Sequence, residues 1–280
     1  MRSIIRFELK RAFQNKAFFC ALFICLGLTV FHEINTTIPG VRTLYRWMEM
    51  YSKNTDKTGS LPGAISLWFP IGINVTSMIY FMIMPLLAVI SYGDSTYLDY
   101  NNHFVNGLMI KSGKRQYLFA KLISLFCVGA VLAAIPMVVS LILNLCTIPV
   151  EKVYAASSQY LIFEQSIFGE MFYKNTWEYI VINIIWTSFW FGLLNTLCVP
   201  AAFLFENRFV VMLFPFALYM GSGIVIDTLA SSVPTPREYF KMSGNFKVDS
   251  LWMIAIQLAV ILLIHAYILI KKGAKREDVI

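Results

Sequence analysis

The sequence predicts an all-α integral membrane protein. Six transmembrane helices are expected, with an amphipathic helix lying at the interface before them and a short helix outside the bilayer between spans two and three. Three observations carry this. Hydrophobic residues make up 58% of the 280 residues and charged ones only 14%, against about a quarter charged in soluble domains. Apolar runs long enough to cross a hydrocarbon core of about 30 Å recur six times. The polar intervals between them differ in kind, short and basic on one side, longer and more acidic on the other.

Residues 2–16 come first. Ile5, Leu9, Ala12 and Phe13 share one helical face, and Arg6, Lys10 and Gln14 line the opposite one. That pattern fits a helix resting on an anionic leaflet; a plain basic flank is the other reading. The first span is expected at 17–34. A basic leader before an apolar core also fits a secretory signal, but the leader is long and amphipathic and no small-x-small site follows Val30. An uncleaved span is therefore expected.

An outer loop follows at 35–66, bounded by Pro39-Gly40 and Pro62-Gly63, with a short helix inside it around Leu44, Trp47, Met48 and Tyr51. The second span is expected at 67–91, kinked or broken by Pro70 and Pro85. The third is expected at 118–146 with Pro136 inside it, and an acidic outer loop at 147–178 follows. The fourth span, 179–205, contains Pro200, and a tight turn at Glu206-Asn207-Arg208 leads into the fifth, 209–229. A third outer loop, 230–250, precedes the sixth span, 251–270. The six expected spans cover half of the 280 residues, and the whole chain reads as a single transmembrane domain.

The formal net charge is +7. Its basic residues cluster beside apolar runs, which is a topological signal rather than a nucleic-acid surface, so no nucleic-acid partner is expected. Most of them fall on the side of the two termini. Both termini are therefore expected in the cytoplasm and the chain in the cell membrane, in contact with its lipids. The five cysteines lie in or at the ends of apolar runs, and no disulfide framework is expected.

The longest polar interruption on the inner side is Tyr92 to Lys121. It carries Asp94, Asp99, His103, Lys111, Lys114, Arg115 and Lys121. Tyr100, Phe104 and Leu108, with Val105 near them, stand at helical spacing against Asn101, Asn102 and Asn106. Such a piece lies on a membrane surface and presents a face to a partner outside the bilayer. Gly93-Asp94 after span two, Asn106-Gly107-Leu108, and Gly113, Arg115, Tyr117 and Lys121 opening span three resemble the pattern of a type-2 ABC exporter permease. That family's G-x-R-x-x-Y-x-x-x-K-like stretch is matched with slightly different spacing. Asn207-Arg208-Phe209 followed by Phe214-Pro215-Phe216 is similar to its turn into span five.

The resemblance implies two six-span protomers, the second a copy of this chain or a homologous permease. It also implies that the inner segment, 94–117, is the coupling helix for a separate ABC ATPase, present in two copies. Tyr100, Phe104 and Leu108 would be apolar anchors in an ATPase groove, with Asp94 opening the segment. Lys111, Lys114 and Arg115 would pair with acids there or with lipid phosphate, unless they only obey the positive-inside rule. ATP and magnesium would belong to the partner, with no cofactor in this chain. Size and outer loops are most similar to exporters of amphipathic peptides, the toxin and bacteriocin-immunity group. The alternatives are a peptide-binding receptor or sensor, a membrane-embedded enzyme, or export of a drug, lipid or polysaccharide.

Gly107 to Arg115 is not a nucleotide-binding loop, because five residues separate its glycines and Arg115 stands where a Ser or Thr would hold magnesium. His32, His103 and His265 are far apart, without metal-ligand spacing. No paired carboxylates or Ser/His or Ser/Lys arrangement is evident within the spans, so the chain is not expected to be an enzyme. Gln257 and His265 stand on one face of span six, and Asp227 near the outer end of span five; each is a candidate for a gate or cavity as well as for helix packing or solvation. Asn74, Asn144, Asn183 and Asn195 are expected to hold helices together. The aromatic, acidic outer loop fits a membrane-interface belt or a surface receiving cationic peptides.

Overall fold

The computed structural model describes residues 2–53, 62–72, 74–104, 113–153, 160, 162–164, 166–230, 232–242 and 250–275. Among these the chain is built from helices: α1 (Arg2–Phe13), α2 (Lys16–His32), α3 (Ile38–Lys53), α4 (Val75–Tyr92), α5 (Ser95–Asn101), α6 (Lys114–Thr147), α7 (Gly169–Lys174), α8 (Thr176–Thr196), α9 (Cys198–Leu204), α10 (Arg208–Leu229), α11 (Pro236–Tyr239) and α12 (Leu251–Lys275), with a π-helical turn, Glu33–Thr37, between α2 and α3. Six helical stretches are long and apolar enough to cross a membrane. The protein is a multi-pass membrane protein.

Local chemistry places the helix ends. Asn15 caps α2 by accepting from the Ala17 N–H at 3.1 Å, and Asn207 caps α10 by accepting from Phe209 N–H at 2.9 Å. The second span begins at Val75, not 67, because residues 64–72 close into tight turns around Trp68 (Ile71 N–H and Gly72 N–H both donate to its carbonyl). Pro70 lies in those turns and Pro85 inside a continuous helix. Pro200 offers no N–H to the Thr196 carbonyl, and the fourth span accordingly divides at Leu197 into α8 and α9.

The expected break at Pro39-Gly40 is absent: helix continues from Lys16 through the π turn to Lys53. The π turn ends at Thr37, two residues before Pro39, with the Ile38 N–H donating to the Glu33 carbonyl. Gly40 packs under Leu67, whose Cδ1 would lie 2.5 Å from a Cβ there.

The trunk of the bundle is the α6–α8 pair. Gly129 and Gly192 face each other, a Cβ on Gly129 meeting the Phe191 carbonyl oxygen at 2.8 Å and one on Gly192 meeting that of Phe126 at 2.8 Å. Asn195 Nδ2 donates to the Leu125 carbonyl across the contact at 2.8 Å. Small residues bringing backbones together and an amide joining them are how helices associate where lipid offers no hydrophobic drive. Around this trunk, Tyr80 on α4 donates to the Ala133 carbonyl (2.9 Å) and Trp68 to that of Met137 (3.0 Å).

Described residues of the loops between spans pack onto the bundle end away from the N-terminus. Glu151 accepts from the N–H groups of Ile65 and Ser66 and from Tyr160. Tyr160 and Phe172 are buried, whereas Phe163 and Trp177 stay exposed, so this aromatic set is part core and part interface. Trp186 and Thr187 on α8 donate to the carbonyls of Tyr239 and Phe240, holding the 236–242 segment against Trp190. Lys241 turns its ammonium inward there, onto the Gly72 carbonyl (3.1 Å) and Ser77 Oγ (3.4 Å), 5.9 Å from the Phe81 ring centroid.

Gly129→Ala is expected to destabilise by about 1–3 kcal/mol, because a backbone oxygen is in the way; Gly27→Ala, with nothing within 4 Å of the new Cβ, is expected to be neutral or stabilising. Thermal melting of both variants in detergent checks this, and equal melting would refute the close-contact account. Burial pulls the Lys241 ammonium down to about 8. Between pH 8 and the ordinary lysine value near 10.5 the unfolded chain thus binds more protons, so stability rises with pH in that window and the full penalty is present below it. Lys241→Met should therefore raise the melting temperature at pH 7, by a margin that shrinks as pH climbs from 8 to 10.

Candidate functional site

At the N-terminal end of the bundle, four charged groups meet, three of them buried and the fourth, Arg11, about a third exposed. Lys121, in the second turn of α6, is fully buried, and its Nζ lies 2.6 Å from Asp99 Oδ2 and 3.0 Å from Glu8 Oε2. Arg11 NH2 lies 2.6 Å from Asp99 Oδ1, and Arg11 NH1 lies 3.7 Å from Glu8 Oε1. Tyr92 donates to Glu8 Oε2 at 2.8 Å and Tyr117 donates to Asp99 Oδ2 at 2.8 Å. The Lys121 ammonium also stands 4.7 Å from the Tyr92 ring centroid.

Two carboxylates and two cations sum to zero, which is what allows the group to exist in a low-dielectric place. Burial alone would push the Arg11 guanidinium down, but its hydrogen bond to Asp99 and the nearby negative charges outweigh this and push it up, so it stays charged. Four elements contribute: α1 (Glu8, Arg11), α4 (Tyr92), α5 (Asp99) and α6 (Tyr117, Lys121). The arrangement ties the N-terminal helix and the segment after span two to the start of span three. Asn15 adds a link, its Nδ2 donating to the Ser91 carbonyl at 3.0 Å.

A second tie runs to the turn before α10. Arg208 donates to Asp94 Oδ2 through Nε at 2.9 Å and also through NH2. Tyr97 donates to the Glu206 carbonyl at 2.6 Å. Gly93 is the contact that permits it, since a Cβ there would meet Cys198 Sγ at 2.7 Å. Tyr100 packs on the rings of Phe203 and Tyr117. The short α5 ends at Asn101 with Asn102 as its C-cap, and His103 follows in the left-handed region at φ 55°, a common helix stop.

Of the residues singled out in the sequence, Asp94 thus sits in an ion pair and Tyr100 is largely internal. Phe104 is exposed, with the Arg11 guanidinium 5.0 Å from its ring centroid. Lys114 is half-buried and Arg115 exposed at the start of α6. Leu108 and Lys111 lie outside the described residues. Glu8 and Arg11 were missed. The signal was available: Glu8 is the one acid among the basic residues of 2–16, and it stands between Ile5 and Ala12 on the apolar face.

The other candidates separate. Asp227 is exposed and pairs with Arg237 at 2.5 Å, Gly223 leaving room for the arginine to lie across α10. Gln257 and His265 do not act as a pair. Gln257 Nε2 donates to the Pro234 carbonyl at 2.9 Å, while His265 Nε2 lies 3.1 Å from Thr196 Oγ1, packing α12 on α8. Gln257 alone of the three lines an apolar cavity of about 260 Å³ between α8, α10, α11 and α12, with Leu197, Tyr219 and Ser222.

Compared with protein-family models, curated proteins and solved structures, the chain gives no match. Its functional reading therefore rests on the residues themselves.

Removing one member of the buried cluster leaves an uncompensated charge, so Lys121→Met is expected to cost about 3–5 kcal/mol. Arg208→Ala, whose side chain is half exposed although Asp94 is nearly buried, should cost less than Lys121→Met. Melting of the two variants in the same detergent gives the order; a Lys121→Met protein as stable as the parent would mean that the cluster does not anchor α1.

Proposed function

We propose that this chain is the transmembrane permease subunit of an ATP-driven ABC exporter, working as a dimer with a separate pair of ATPase subunits. In this reading the interfacial helix α1 lies on the inner leaflet, both termini are cytoplasmic, and the segment from Asp94 to Tyr117 receives the ATPase. The observation that carries it is the double ionic tie of that segment. Asp99 is bound to α1 and α6, and Asp94 to the turn entering α10.

A coupling element has to convert a push from outside the bilayer into helix tilt, and it can do so only if it is not slack. A seven-residue helix bonded to spans two and three, and pinned by buried charges to α1 and by an arginine to span five, meets that requirement. Phe104 is exposed at the end of this pinned piece, where an ATPase groove would take it. Hydrolysis itself belongs to the partner, together with ATP and magnesium.

The substrate class that fits is a hydrophobic or amphipathic peptide, such as a toxin or antimicrobial peptide. The support is the acidic, aromatic outer loop, with Phe163 and Trp177 exposed beside Glu164 and Glu178. Cationic amphipathic chains would leave past such a surface.

The test is purification of the tagged chain from its own cells in mild detergent, with partners identified by mass spectrometry. A stoichiometric ATPase with Walker motifs is expected, and a second permease-like chain beside it would indicate a heterodimer. Phe104→Asp is expected to lose at least 90% of the captured ATPase while melting within a few degrees of the parent. A chain that comes alone even after cross-linking would overturn the exporter reading and favour a receptor. Undiminished capture by Phe104→Asp would remove Phe104 from the docking surface.

A further inference from the structure

Within the first span, toward its far end, an acid stands in a setting that the exporter reading does not use. Glu33 opens the π turn, about 25 Å along the helix from Lys16 at 1.5 Å per residue. Intramembrane acids are rare and functional by default, and π turns collect at functional sites. Glu33 and Thr37 are four residues apart on this turn, and they face Ser140 and Asn144, four residues apart on α6. Ser140 Oγ donates to Glu33 Oε1 at 3.3 Å, and Thr37 Oγ1 donates to Asn144 Oδ1 at 2.9 Å. Thr37, Ser140 and Asn144 are all fully buried.

Four features define what is missing. Glu33 Oε2 is buried with no hydrogen-bond partner among the described residues. Ser140 supplies the hydrogen bond to the other carboxylate oxygen, and no cation among the described residues pairs with the group. The neighbouring His32 does not serve it, because its ring nitrogens are 2.6 Å from Thr76 Oγ1 and 2.9 Å from the Leu67 carbonyl oxygen. The Asn144 amide cannot turn to offer its nitrogen to the acid, since Nδ2 is held by the Ala64 carbonyl at 3.2 Å and the oxygen therefore points at Thr37.

We propose that Glu33, Thr37, Ser140 and Asn144 form a binding site for one dehydrated alkali cation. The donors are a carboxylate, two hydroxyls and an amide carbonyl, an all-oxygen set that suits a hard cation. One negative charge among neutral oxygens is balanced by a single positive charge; a divalent ion would leave an excess charge in a low-dielectric place. The ion supplies Glu33 Oε2 with its absent partner and joins the π turn to α6. This site is independent of whether the chain is an exporter.

The test is thermal melting of the full-length protein in detergent at constant ionic strength, with NaCl, KCl or choline chloride. Binding to the folded state alone stabilises as ln(1 + [L]/Kd), so the midpoint should rise with NaCl or KCl and saturate, and stay flat in choline chloride. Glu33→Gln should abolish the dependence, and Ser140→Ala should shift half-saturation to at least threefold higher salt. If Glu33→Gln does not fold, ²²Na⁺ binding to the parent, competed by unlabelled NaCl or KCl, and to Ser140→Ala gives the same answer. Equal midpoints in the three salts would overturn the proposal, leaving Glu33 protonated or solvated by water. So would an alkali effect that persists in Glu33→Gln.

Discussion

The fully buried ammonium of Lys121 is the constraint on which one whole end of the molecule depends. A lysine inside a span cannot be left alone, and its own helix offers no acid to meet it. Glu8 and Asp99 are brought to it from elements remote in sequence, and they arrive only if α1 docks along α6 and the chain after α4 folds back as α5. Arg11 then balances the second carboxylate. Electroneutrality of this small group thus dictates where the N-terminal helix lies and where the polar segment goes. Asp94 and Arg208 extend the same logic to the turn before α10, in a wetter place and with less energy at stake.

The opposite end is organised by a different chemistry. Indole and hydroxyl donors on α8 reach the carbonyls of Tyr239 and Phe240, and Glu151 gathers the N–H groups of the turn at 65–66. Irregular backbone near a membrane must find partners within the protein, and these side chains supply them. Between the two ends, Gly129 and Gly192 let α6 and α8 touch, making the trunk on which both polar ends are mounted. α10 and α12 lie outside this trunk and present apolar side chains such as Leu213, Ile224 and Leu263 outward, as lipid-facing spans do.

How far the site was legible follows from the range of each interaction. Asp94, Asp99 and Lys121 stood out because each is a charge beside an apolar run. That Asp99 and Lys121 are partners was not readable, since 22 residues separate them and the register between α5 and α6 is a tertiary fact. Glu8 looked like one more charge of a surface helix; only docking turned its face inward. Gln257 and His265 share a helical face, but which partner each meets was not readable: Pro234 lies 23 residues from the one and Thr196 69 residues from the other. Glu33 falls inside the expected first span, 17–34, and only the packing of the π turn on α6 shows what surrounds its carboxylate.

Composition and hydropathy by themselves determined the class of the molecule and the number of its spans, because the cost of placing backbone and charge in hydrocarbon is paid residue by residue along the chain. Caps such as Asn15 and Asn207 act within a turn and belong to the same local level. The tertiary structure decided which charge meets which, which prolines end a helix and which are absorbed, and where an unpartnered carboxylate oxygen is left inside the bundle. Those outcomes depend on distances between residues far apart in sequence, and only the packed helices define such distances.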